Sequence, residues 1–168
     1  MGWVRYFFGF GGRINRTKFW LYYAIALPAL VALFVVFYVY AMSFPGAYEN
    51  GGPTPLPADP LGIAGAILWA LAFALLLVAS LAITVKRLHD RGKRGWWLLV
   101  FAVLPNLLYG GQQYLLETDD ANAGSATFLL SFFALALWAW GLLELGVLQG
   151  NVGANRFGPD PLTSIPAL

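Results

Sequence analysis

This chain has no cysteine and a single histidine, His89. The first absence excludes a disulfide framework and thiolate metal sites, and the second leaves no histidine pair to complete a metal centre. Charge is scarce as well: Asp, Glu, Lys and Arg make up 11% of the 168 residues, against roughly 25% in an ordinary soluble domain. Hydrophobic residues make up 60%. Too few polar groups remain to cover that apolar surface in water, so lipid is the expected solvent. The net charge of +2 does not indicate nucleic-acid binding, since no nucleic-acid module accompanies it. One further scarcity is positional. The ten basic residues are Arg5, Arg13, Arg16, Lys18, Lys86, Arg87, Arg91, Lys93, Arg94 and Arg156, and two of the connections between apolar runs contain none of them.

What is present is a set of long apolar runs. The first, Phe19 to Met42, spans roughly 36 Å as a helix at 1.5 Å per residue, enough for a bilayer core of about 30 Å. It contains Pro28, expected to kink it. Ala41-Met42-Ser43 loosely resembles a cleavage site, but the run is longer than a signal-peptide core, so it reads as a retained span. Residues 43–60 form a Pro- and Gly-rich connection with Glu49 and Asp59. The second run, Leu61 to Val85, is free of charge; Gly62, Ala66, Ala70 and Ala74 recur every fourth position as a ridge suited to close helix packing.

Trp96 to Tyr109 is interrupted by Pro105 and Asn106 and alone suits a re-entrant piece, whereas extension to Leu116 makes a full crossing, the reading preferred here. The fourth run is Ala126 to Leu148. The expected fold is therefore all-α: one bundle of four transmembrane helices (19–42, 61–85, 96–116 and 126–148) forming a single domain over 1–168. All ten Lys and Arg fall on one side, which places both termini in the cytoplasm by the positive-inside rule.

Three polar clusters remain. The N-terminal Gly12-Arg13-Ile14-Asn15-Arg16 is followed by Phe19-Trp20. A central Lys86-Arg87-Leu88-His89-Asp90-Arg91-Gly92-Lys93-Arg94-Gly95-Trp96-Trp97 lies between two runs. The tail carries Gly153-Ala154-Asn155-Arg156-Phe157-Gly158-Pro159-Asp160-Pro161. Together they resemble, in order and over nearly the whole chain, the motifs of the DUF805 family of bacterial inner-membrane proteins. Arg94 departs from that pattern, which often has Ser there, so a hydroxyl role at this position is in doubt. The resemblance implies a four-helix protein of the bacterial cytoplasmic membrane and no defined reaction.

Read as chemistry, Lys86 to Gly95 is a basic loop. With Arg13 and Arg16, its Lys86, Arg87, Arg91, Lys93 and Arg94 are candidates to bind anionic lipid head groups or a protein partner, at about 1 kcal/mol per cation near an anionic surface. Trp20, Trp96 and Trp97 are expected interfacial anchors. Asp90 is expected to pair with Arg13, Arg16 or Arg87, and Glu144, the one ionisable group inside a span, with Lys86 or Arg87. Asp160 and Asn155 are expected to reach the basic loop. Adjacent His89 and Asp90 point about 100° apart on a helix, and Ser80 lies deep in the second run, so no catalytic residue is assigned. Gly150, Gly153 and Gly158 lack the Lys-Ser/Thr ending of a phosphate loop. No metal or cofactor is expected. The preferred function is a structural or accessory membrane protein with a basic cytoplasmic face, able to form homo-oligomers. An oligomeric transporter or channel subunit, or a lipid-head-group enzyme using His89, Asp90 and Arg87, are the alternatives.

Overall fold

The computed structural model describes residues 2–42, 60–117 and 123–163. The expected connection with Glu49 and Asp59, and the acids Asp119 and Asp120, lie outside them. The helices are α1 (Trp3–Phe8), α2 (Arg16–Met42), α3 (Pro60–Asp90), α4 (Leu104–Leu116) and α5 (Ala123–Leu142), with π-helical segments at Leu99–Val103 and Leu143–Val147. Among the described residues there is no strand, only an isolated bridge between Asn155 and Gly158. Three stretches, Arg16–Tyr40, Pro60–Asp90 and Ala123–Val147, are long and apolar enough to cross a membrane. Large side chains are widely exposed along them, among them Ile25, Val36, Leu68, Leu75, Phe128 and Leu135, as expected of helices whose solvent is hydrocarbon.

The chain divides into two units. The first comprises residues 1–8 and 21–82. Here α2 and α3 pair antiparallel through aromatic side chains. The Tyr22 hydroxyl lies 2.9 Å from the Ser80 hydroxyl, Trp69 donates its indole N–H to the Leu33 carbonyl at 3.1 Å, and Trp69 stacks on Phe73 at 5.5 Å. The contact line is thus Gly65, Trp69, Phe73, Leu76 and Ser80. The expected small-residue ridge is not that line: Gly62 is buried, but Ala70 and Ala74 are exposed. Bulky rings on α3 fill the space that small residues would otherwise have closed by letting the backbones approach.

The second unit comprises residues 9–20 and 83–168. Asn15 starts α2, its side-chain oxygen accepting the Lys18 N–H at 2.9 Å, an N-cap. The end of α3 differs from expectation. The charged residues after Val85 suggest a loop, yet the helix continues to Asp90. It stops where Gly92 takes φ of 71°, with Gly92 N–H bonded to the His89 carbonyl at 3.0 Å and Lys93 N–H to the Leu88 carbonyl at 2.8 Å. That is a Schellman termination, and the left-handed glycine sets the helix end.

Pro105 shapes the next element. It cannot donate to the carbonyl four residues back. The preceding turn widens to π spacing, with the Leu104 N–H reaching the Leu99 carbonyl. Phe101 packs so closely on Gly141 that a Cβ there would lie 3.3 Å from the Phe101 Cβ, while one on Gly111 would touch Leu130 at 3.7 Å. These contacts align the 99–116 segment antiparallel to α5.

Candidate functional site

The polar clusters of the second unit converge on the end of the α5 helix. A helix leaves its last carbonyls without intrahelical partners. Here five consecutive carbonyls are met by side chains. Arg87 Nε donates to Leu145 at 2.7 Å, Trp20 Nε1 to Gly146 at 2.9 Å, Arg16 Nη1 to Val147 at 3.3 Å, Arg87 Nη2 to Leu148 at 2.5 Å, and Arg91 Nη1 to Gln149. Cations at a helix C-terminus also oppose its negative dipole end.

Asp90 binds the arginines together. Arg87 Nη1 donates to one of its oxygens, and Arg13 donates to the other through Nε at 3.1 Å, with Nη2 at 3.0 Å. The side chains of Arg13 and Arg87 are only 1% and 0% exposed. Buried charges are tolerated when paired and hydrogen-bonded throughout. Arg13 meets that condition by also donating to the carbonyls of Gly153 (2.6 Å), Asn151 (2.5 Å) and Gly158 (3.3 Å). Neither guanidinium is placed to face lipid head groups, and Lys86, 3% exposed, is not either. These three lie in the interior of the second unit, because α3 carries Lys86 and Arg87 there as helix instead of loop and Arg13 pairs with Asp90.

Glu144 is buried in the π segment and pairs with Arg91 Nε at 3.0 Å and Lys93 Nζ at 3.8 Å. Of the expected partners, Arg87 is taken by Asp90 instead. Lys93 also sits 4.2 Å over the Trp97 ring, a cation–π contact. Arg94 and Trp96 are exposed, as are Arg16 and Lys18.

His89 is held on several sides. Phe157 stacks on its ring at 3.9 Å, Nδ1 lies 3.2 Å from the Gly12 carbonyl, and its own carbonyl accepts from Asn155 at 3.0 Å. Arg156 lies over the Phe157 ring at 4.7 Å and bonds the Gly92 carbonyl at 2.8 Å. Among the described residues no group of three His, Cys, Asp or Glu is arranged for a metal.

Asp160 orders the tail through backbone bonds: it accepts N–H bonds from Leu162 and Gly153, each at 2.9 Å. The Leu162 bond, then the Gly153 bond, with Arg13 adding its charge, holds its carboxyl below the usual range. A lowered folded-state pKa means a stabilising contribution present above about pH 4 and lost as pH falls through the folded value. Asp160→Asn is therefore expected to flatten the acid limb of melting temperature against pH between about 5 and 3. An acid limb identical to the wild type would contradict this. Beside the tail, a cleft of about 260 Å³ is lined by Asn15, Arg16, Asp90, Gln149 and Leu162 among others.

These features define a helical protein with membrane-length apolar helices and a buried arginine–aspartate network that ties three sequence motifs together. The family described as "Protein of unknown function (DUF805)" matches residues 7–159. This chain belongs to the DUF805 family. It is 29% identical over 156 residues to the uncharacterized protein YiiR of Escherichia coli strain K12, covering 93% of this chain and 88% of that protein. YiiR of Escherichia coli O157:H7 matches to the same extent. No solved structure matches the chain.

Proposed function

We propose that this is a non-catalytic accessory protein of the bacterial inner membrane, crossing it four times with both termini in the cytoplasm and presenting a cationic rim to anionic lipid head groups. The alignment of residues 99–116 along α5 supports the fourth crossing, since where α5 crosses, this segment runs beside it for most of its length. The asymmetry of the ten basic residues supports the orientation.

One observation carries the functional reading. The motif residues divide into a buried group saturated by protein acceptors, Arg13, Arg87 and Asp90, and an exposed group, Arg16, Lys18, Arg94 and Arg156. The first group builds the platform and the second faces the head groups. The engagement of His89 between Phe157 and Gly12 fits a structural part better than proton transfer.

Lys18 and Arg94 stand outside the buried network, so Lys18→Gln/Arg94→Gln should fold normally. At about 1 kcal/mol per cation, the pair should weaken phosphatidylglycerol binding to the detergent-solubilised protein roughly thirtyfold, measured by native mass spectrometry. Phosphatidylcholine binding should not change. Equal phosphatidylglycerol affinity in the double variant and the wild type would refute the reading.

A further inference from the structure

Helix α4 turns a polar seam away from its partner. Pro105 is buried, and Leu108, Gly111, Gln112 and Leu115 are partly covered. On the opposite side, Val103, Asn106, Gly110 and Gln113 are exposed, spaced three, four and three residues apart. That spacing keeps side chains on one line along a helix and is the seam of heptad-packed pairs.

The two amides are half used. Asn106 Nδ2 donates to the Ala102 carbonyl at 2.5 Å, and Gln113 Nε2 to the Tyr109 hydroxyl at 2.6 Å. Each keeps a second N–H, and among the described residues neither amide oxygen accepts a bond. In hydrocarbon such groups are costly to leave unmatched. Between them Gly110 faces open space, with nothing within 4 Å of where a Cβ would lie.

We propose that two copies of this chain associate in the bilayer through α4, Asn106 meeting Asn106 and Gln113 meeting Gln113 across Gly110. This rests on the reading that residues 99–116 cross the membrane. A primary amide carries both donor and acceptor, so it is complementary to itself across a two-fold axis, a match that acyl chains cannot supply. Two copies inserted the same way present α4 in parallel. Asn106 and Gln113, seven residues apart, then fall in register together. Gly110 admits the close backbone approach on which membrane helix pairs depend. Glu117 extends the same line past the end of α4, where water screens the two like charges.

The absence of cysteine makes the test clean. Gly110→Cys and Val103→Cys, oxidised in native membranes, should give a disulfide-linked dimer. Leu135→Cys, exposed on α5, should not. Adding Asn106→Leu and Gln113→Leu to Gly110→Cys should lower association in the membrane roughly tenfold, read by titrating the linked fraction against protein-to-lipid ratio. Equal linking at Leu135→Cys, or linking indifferent to both amides, would overturn the dimer. Labelling of Gly110→Cys by a membrane-impermeant maleimide would instead overturn the crossing itself. A cysteine shielded from that reagent yet never linked would overturn the dimer alone.

Discussion

Replacing Asp90 by alanine is expected to prevent this protein from accumulating in folded form. Its carboxylate is the shared acceptor for Arg13 and Arg87. Removing it leaves Arg87 buried without its counter-charge and Arg13 with only the weaker influence of Asp160. Breaking one buried pair in this way costs about 3–5 kcal/mol, and a whole domain is stable by only about 5–15 kcal/mol. The loss would spread, because Arg87 also closes the carbonyls of Leu145 and Leu148. Asp90→Asn keeps the shape and one acceptor oxygen, so it should fall between alanine and the wild type. Monodisperse yield from detergent and melting temperature are the measurements. If Asp90→Ala melted with the wild type, the network would have to be an accessory to the fold and not its centre.

The second large effect is expected at Gly150. A Cβ there would lie 2.0 Å from Asp90 Oδ2 and 2.6 Å from its Cγ. Relief would require the carboxylate to move, and Arg13 and Arg87 hold it from both sides. Gly150→Ala should therefore destabilise by about 3 kcal/mol, the upper part of the usual overpacking range. Gly124 is the control, since nothing lies within 4 Å of a Cβ there and alanine suits a helix better than glycine. Gly124→Ala should melt at or slightly above the wild type. Equal melting of Gly150→Ala and Gly124→Ala would count against the tight seating of the tail on Asp90.

Much of this architecture is legible in the residues. Apolar runs bounded by clustered cations locate the long helices, because helix length and side-chain solvent are both written in composition. Asp90 stands amid arginines and has little choice but to pair with them. The tail's Asn155 does reach the 86–95 segment. The partners of Glu144 are not legible. A π turn adds a residue to the helix and rotates every side chain beyond it, and the 3.6-residue periodicity carries no trace of that extra residue. Continuation of α3 to Asp90 is hidden for a related reason. A dense run of charge reads as solvated loop, although Arg87 can stay helical and buried when backbone carbonyls receive its protons. Those acceptors have no sequence signature at all, since every residue has one. Trp20 shows the same limit: its type suggests an interfacial ring, but its bond to the Gly146 carbonyl arises only in the fold. The short α1 at Trp3–Phe8, where Phe7 lies 6.2 Å from Tyr22, has no cap or periodic signal to announce it.

The wiring of Arg13 has a consequence for biogenesis. Asp90 lies 77 residues downstream, and its carbonyl acceptors at Asn151, Gly153 and Gly158 lie 138, 140 and 145 residues downstream. A ribosome therefore makes Arg13 long before it makes those acceptors. During translation the guanidinium must wait in water while the greasy segments are handed to the bilayer, and the arm can lock only once residues 151–158 have emerged. The motifs at 12–16 and 153–161 therefore act as clasp and catch, joined only after the helices between them have been made.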